Sequence, residues 1–336
     1  MTDTQRFLAF LAESCRGAIP FERFMKEALF HPEFGYYSAN IRTVGRRGDF
    51  STVPTWSRFL SHALTQWIVS ASCKEQWSVI ELGGGTGKLA EGILKALGWW
   101  KRRKLTYKIV EISQPLIQEQ KRRLAHYSQI RWYSNIAEAL ESCGGRALIF
   151  SNEFVDAFPV RLFRKQADEW RECALQWENQ RLEEIWIEAS PPGSSAVEGI
   201  HCLPEGSKIE VAETYCQWLV GWIPFWKAGQ FLTIDYGNLF PELYYRRPFG
   251  TLRAFFHHHL IQGREIYQRF GYQDLTADVN FSDLIAWGAA LGLGLNSFDS
   301  LMEWLGPWSH QAPASFLDPN GIGGSFKVLC QTCPSS

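Results

Sequence analysis

A hydrophobic run, Val79-Ile80-Glu81-Leu82, ends on the turn Gly83-Gly84-Gly85-Thr86-Gly87. Glycines at 83, 85 and 87 let the backbone turn sharply and let a ligand approach it closely. A helix after such a turn aims its unpaired N–H groups at whatever occupies it. Two phosphate-binding readings fail on spacing. A GxxxxGK(S/T) loop through Gly87-Lys88 needs glycine at 82 and Ser or Thr at 89, where the chain has Leu82 and Leu89. A GxGxxG turn needs glycine at 88 or 90, where it has Lys88 and Ala90. The pattern that remains is acidic-x-Gly-x-Gly-x-Gly, opened by Glu81. A second acid, Glu111, ends the next hydrophobic run. A third group, Asn152, Glu153 and Asp156, stands just past a later one. In open parallel sheets that edge is where ligands bind.

The elements that must position these residues follow from periodicity. Residues 78–82, 107–112, 130–133, 147–151 and 231–235 read as strands, and 326–331 as a returning strand. Leu89, Ile93 and Leu97 mark a helix after the glycine turn, and Leu116 and Leu124 another. Strand, crossover helix, strand predicts a parallel α/β sheet. Upstream, Phe21, Phe24, Met25, Ala28 and Leu29 share one helical face, closed by Pro32 and Gly35. A further helix is predicted from about 56 to 70. The expected division is an N-terminal helical lid segment over 1–75 and a core over 76–336, with insertions at about 166–210 and 238–300. In the first insertion, 160–165, 170–177 and 182–188 read as strands. Residues 238–300 read as irregular and aromatic-rich, then helical.

Composition narrows the class. The 336 residues are 46% hydrophobic and 21% charged, the balance of a globular chain. Lys plus Arg number 34 against 35 Asp plus Glu, so a net charge of −1 argues against broad binding to nucleic acid. No apolar run is long enough to span a membrane. The N-terminus carries neither secretory nor transit-peptide features, which gives a cytoplasmic expectation, with a mitochondrial one only for a processed eukaryotic form. The eight cysteines then read as reduced thiols. Cys330 and Cys333 have CxxC spacing but no second pair, and His257-His258-His259 lack spaced acidic or Cys partners, so no metal is expected. The run Trp99-Trp100-Lys101-Arg102-Arg103-Lys104 reads as a solvated loop.

The turn resembles motif I of S-adenosylmethionine (SAM) methyltransferases. That resemblance implies SAM as cofactor, held around Glu81, Gly83, Gly85 and Gly87. It implies Glu111 as acceptor of both ribose hydroxyls and Asn135 at the adenine edge. The Gly48–Thr52 loop folds over the cofactor in the resemblance, with Asp49 or Thr52 meeting the methionine ammonium.

Flanking motifs narrow it further: Pro32-Glu33-Phe34-Gly35-Tyr36-Tyr37-Ser38, Gly48-Asp49-Phe50-Ser51-Thr52, Ser151-Asn152-Glu153-Phe154-Val155-Asp156-Ala157-Phe158-Pro159, Ile234-Asp235-Tyr236-Gly237 and Asp274-Leu275-Thr276-Ala277-Asp278-Val279-Asn280-Phe281. In this order, over about 20–330, they resemble the MidA-like family, which includes a mitochondrial protein arginine methyltransferase needed for respiratory complex I assembly. The resemblance implies a Rossmann-like class I methyltransferase sheet with an N-terminal helical segment and an inserted, largely helical subdomain. It implies a protein substrate with an arginine side chain. There are departures: Gly84 stands in place of the family's Pro, and Asp278 and Asn280 in place of its His and Asp.

An arginine nucleophile arrives as a planar cation, which carboxylates bind in a fork and so orient. Glu153 and Asp156 are therefore the expected catalytic contacts, with Asn152 positioning and Asp235 orienting loops. The competing readings are a small-molecule or RNA methyltransferase and a non-catalytic SAM-binding assembly factor. A homodimer is left open.

Overall fold

The computed structural model describes residues 7, 10, 17–41, 54–72, 78–178, 181–256, 259–269, 271–306 and 312–333, with 54–57 by backbone alone. The chain forms two compact units. One comprises Thr43–Val155, Trp218–Gly237 and Leu284–Ser336; the other comprises Met1–Arg42, Asp156–Gln217 and Asn238–Asp283.

The first of these units carries the strands β1 (Ser78–Leu82), β2 (Thr106–Val110), β3 (Ile130–Tyr133), β4 (Ala147–Asn152), β5 (Gln230–Asn238), β6 (Gly294–Ser300) and β7 (Phe326–Thr332). They follow the path β6-β7-β5-β4-β1-β2-β3. β1 to β5 run parallel, and β7 is antiparallel to both β5 and β6. The register places Leu82 beside Val110 and Ser151, and Ser151 beside Thr233. The residues that follow β1, β2, β4 and β5 therefore emerge at one edge. This is the parallel α/β sheet expected of the strand–helix alternation, in the Rossmann-like class I arrangement that the resemblance implied.

Four helices matter here: α1 (Pro54–Ala71), α2 (Lys88–Ala96), α3 (Gln114–Arg123) and α4 (Ile136–Glu141). Leu60, Ala63, Leu64 and Ile68 of α1 and Ala90, Ile93 and Leu94 of α2 pack with Val79, Ile109, Leu148, Phe150, Leu232 and Val328 in one buried cluster. Burial of such side chains stabilises by about 1.5–3 kcal/mol each relative to exposure. α3 starts where Ser113 caps it, its hydroxyl accepting from the Leu116 amide, with Pro115 in the first turn. The strand β6 lies in the stretch that sequence reading assigned to irregular and helical structure. Its sequence, Gly294-Leu295-Asn296-Ser297-Phe298-Asp299-Ser300, has no buried residue, so no hydrophobic alternation announced it.

The other unit contains the helix Phe21–Phe30, whose buried residues include Phe21, Phe24, Met25, Ala28 and Leu29, the face that periodicity predicts. Its main feature corrects one expectation. The resemblance implied a largely helical inserted subdomain, but this unit is built mostly on antiparallel strands. Arg161–Gln166, Glu169–Glu178, Arg181–Glu188, Lys208–Val211 and Ile19–Pro20 form one sheet, and three short strands within 253–276 form another. The physical reason is the alternation already visible in 160–188. Ala167 and Asp168, at φ 51° and 59°, close the first hairpin with the paired positive φ of a type I′ turn.

Candidate active site

The glycine turn folds as its spacing requires. Gly83, Gly85 and Gly87 have φ of 65°, 50° and 75°, a region that costs other residues about 1–2 kcal/mol. The Gly83 amide donates to the Val110 carbonyl at 3.0 Å, tying the turn to the end of β2. The surroundings of the three glycines differ. A Cβ at Gly83 would lie 2.8 Å from Phe154 Cδ2, and one at Gly87 would lie 3.2 Å from Leu124 Cδ1, whereas one at Gly85 would meet nothing within 4 Å. Among the described residues, Gly85 thus borders open space, which a side chain would enter.

Two acids flank the turn. Glu81 is buried and accepts from the Tyr107 hydroxyl at 2.8 Å. Burial pushes its carboxyl up to about 8, with the Tyr107 hydrogen bond opposing and Glu111 adding to the rise. Glu111 Oε1 accepts from the Ile112 and Ser113 amides, each at 3.0 Å. Its Oε2 accepts from Gln120 Nε2 at 3.2 Å. Burial raises its pKa too, and the Ser113 and Ile112 amides and Gln120 act against that. The Gly85 amide adds a fourth donor to this carboxylate, so the turn itself helps to hold Glu111.

Sequence reading missed Gln120. It sits in α3 among Glu119, Lys121, Arg122 and Arg123, a segment that reads as solvated, yet it is completely buried. Asn135, expected at the adenine edge, caps α4, its Oδ1 accepting from the Glu138 amide at 2.9 Å. Asp49 and Thr52 lie outside the described residues, as do His257 and His258. Among the described residues no group of three or more His, Cys, Asp or Glu is placed to hold a metal.

The loop after β4 is the second constellation. Glu153 has φ 51°, unusual for a residue with a side chain, and its amide donates to the Ile234 carbonyl at 3.0 Å. Asn152 Nδ2 donates to Glu153 Oε1 at 3.1 Å. Asn152 Oδ1 is buried and has no hydrogen-bond partner among the described residues. Asp235, at the same edge in β5, is completely buried. Its Oδ2 accepts from the Phe154 and Val155 amides at 3.1 and 2.9 Å, and its Oδ1 from the Tyr236 amide at 3.0 Å. Asp235 thus anchors the chain beyond Glu153, the loop-orienting part expected of it. Asp156 belongs to the other unit. There Tyr37 donates to Asp274 Oδ1 at 2.9 Å, and burial together with the Asp274 and Asp156 carboxylates pushes the Tyr37 hydroxyl up.

A family model of S-adenosyl-L-methionine-dependent methyltransferases matches residues 59–298. The chain belongs to that family, the MidA-like methyltransferases. This methyltransferase is 29% identical over 328 residues to the mouse protein arginine methyltransferase NDUFAF7, mitochondrial, covering 88% of this chain and 72% of the mouse one. It is 27% identical over 322 residues to the Caenorhabditis elegans homologue, covering 84% and 71%. In fold it is similar to a Burkholderia thailandensis protein crystallised with S-adenosyl-homocysteine, with TM-score 0.81, 24% identity, and coverage of 98% of this chain and 92% of that one. The methyltransferase's cofactor is SAM, and the open cradle at Gly85 beside the Glu111 carboxylate fits it. Among its described residues no helix is long and apolar enough to cross a membrane.

Proposed function

We propose that this methyltransferase modifies the guanidinium of a protein arginine. The reading is supported by the names of the mouse and nematode relatives, both protein arginine methyltransferases. The observation that carries it is the Asn152–Glu153 pair at the β4 edge: a carboxylate held at φ 51° beside an amide whose buried oxygen has no hydrogen-bond partner among the described residues.

Both side chains offer acceptors, and a guanidinium offers five N–H donors and no acceptor. Glu153 accepts from one edge of that plane and fixes it, as carboxylates do in charge-assisted forks. The bond from Asn152 Nδ2 keeps Glu153 Oε1 in place. A fixed negative charge draws the positive charge of the guanidinium away from the attacking nitrogen, a stabilisation that needs no rearrangement during the reaction. SAM, when bound, supplies a methyl group already activated on a sulfonium. The residues of the chain therefore have to orient the nucleophile and exclude water. Around the cofactor, the proposed holders are the Gly83–Gly87 turn, Glu81 and Glu111. Asn135, Asp49 and Thr52 complete the proposed set, and Asp156 is the second carboxylate proposed as a substrate contact.

The test is Glu153→Gln, which preserves shape and removes charge. Methyl transfer to protein should fall by about a hundredfold, comparable to losing one preorganised electrostatic contact. The affinity for S-adenosylhomocysteine, measured by calorimetry, should stay unchanged. Full transfer by the variant with normal cofactor affinity would overturn the assignment.

A further inference from the structure

We propose that Gln120 is a positioning residue of the cofactor site, whose carboxamide locks the Glu111 carboxylate and the glycine turn into one unit so that SAM meets both in a fixed relation. The proposal rests on the reading of Glu111 as the ribose acceptor.

Three hydrogen bonds carry it. Gln120 Nε2 donates to the Gly85 carbonyl at 2.8 Å and to Glu111 Oε2 at 3.2 Å. Its Oε1 accepts from Trp132 Nε1 at 2.9 Å. A primary amide has two N–H donors, and both are used on acceptors. The orientation is therefore set by chemistry: turned over, the amide would aim its oxygen at a carbonyl and a carboxylate and its NH2 at an indole N–H. One side chain thus fastens the turn after β1, the acid after β2, the helix α3 and the strand β3.

The surroundings leave it little freedom. A Cβ at Gly84 would lie 3.2 Å from Gln120 Nε2, and one at Gly87 would lie 3.4 Å from Gln120 Cγ. The side chain therefore packs directly on the turn. On the other side, Glu111 Oε1 is held by the Ile112 and Ser113 amides. With one oxygen fixed by backbone and the other by Gln120, the plane of the carboxylate cannot rotate. With the Gly85 amide also on the carboxylate, the orientation of its oxygens is preset before a ligand arrives, which removes an ordering cost from binding. The Gly85 carbonyl is held by the same nitrogen, beside the one glycine of the turn that borders open space.

The experiment uses the full chain and calorimetric titration with S-adenosylhomocysteine and with its 3′-deoxyribose analogue. Gln120→Met keeps the length and helix compatibility of the side chain and removes both donated bonds. Its Kd for S-adenosylhomocysteine should rise about tenfold, the size of one hydrogen bond to a charged group. The preference for the full ribose over the 3′-deoxy analogue should shrink. In a Glu111→Gln background the same change should cost less than about threefold, because the partner through which Gln120 acts is already altered. Trp132→Phe removes the indole donor along with some ring area, leaves both bonds donated by Gln120 possible, and should move affinity and ribose preference in the same direction by about threefold, which covers the case of a Gln120 variant that folds poorly. Equal weakening of both ligands, additive with Glu111→Gln, would overturn the proposal. If Glu111→Gln itself leaves ribose preference intact, the ribose reading of Glu111 fails and the proposal falls with it. If Glu111→Gln abolishes the preference while Gln120→Met leaves it intact, only the proposal falls.

Discussion

Alanine at Gly85 and at Gly83 separates cofactor binding from folding, because the two glycines share a backbone conformation and differ in surroundings. Gly85 has φ 50° and open space where a Cβ would go. The stability cost of Gly85→Ala is then the left-handed conformation alone, about 1–2 kcal/mol. At roughly 2–4 °C per kcal/mol for a domain of this size class, the Tm should fall by about 2–8 °C. The new methyl group occupies the cradle, so affinity for S-adenosylhomocysteine should fall by about a hundredfold, or about 2.7 kcal/mol. Gly83 has φ 65°, and Phe154 Cδ2 stands 2.8 Å from where a Cβ would lie, so Gly83→Ala adds overpacking of about 1–3 kcal/mol to the same conformational cost. Its Tm should fall further. Differential scanning calorimetry gives the stability order and titration calorimetry the affinities. Gly85→Ala that is destabilised yet binds S-adenosylhomocysteine like the wild type would refute the placement of the cofactor at this turn. A larger stability loss at Gly85 than at Gly83 would refute the packing argument.

Two further outcomes follow from buried acids. The Glu81 carboxyl is pushed up to about 8 in the fold, against an ordinary value of 4.5, so the native state binds the extra proton between those values. Stability from this group is therefore full at low pH and declines as pH rises from about 4.5 to about 8. Glu81→Gln should flatten that decline in denaturant-unfolding measurements across this interval, and an unchanged slope would contradict it. Asp235→Asn leaves one acceptor oxygen for the three amide donors of Phe154, Val155 and Tyr236. It should cost about 1.5–3 kcal/mol of stability and lower methyl transfer more than tenfold, with the Kd for S-adenosylhomocysteine within about twofold of wild type. Unaltered transfer would show that the loop holds its shape without Asp235.

The parts of this molecule legible in its sequence are those whose signal is local. The glycine turn was readable because positive φ at 83, 85 and 87 demands glycine wherever it occurs. The strands β1, β2 and β4 were readable because both faces are largely buried, leaving mainly apolar runs in which Glu81 and Lys108 are the charged exceptions. The strand β6 was not, because among the described residues it is an edge strand paired only with β7, and none of its residues is buried. Gln120 was not, because its burial depends on three glycines and a tryptophan distant in sequence, while its neighbours Glu119, Arg122 and Arg123 make surface ion pairs. The inserted unit shows the reverse case. Residue alternation announced its strands, and the resemblance to the family suggested helices.

The most direct test of the account follows the methyl group. The purified chain is incubated with methyl-labelled SAM and protein from its own source, beside Glu153→Gln, and modified residues are mapped by mass spectrometry. Label is expected on arginine guanidinium nitrogens with wild type and is expected to be lost with the variant. Label confined to small molecules, RNA or other side chains would contradict this expectation.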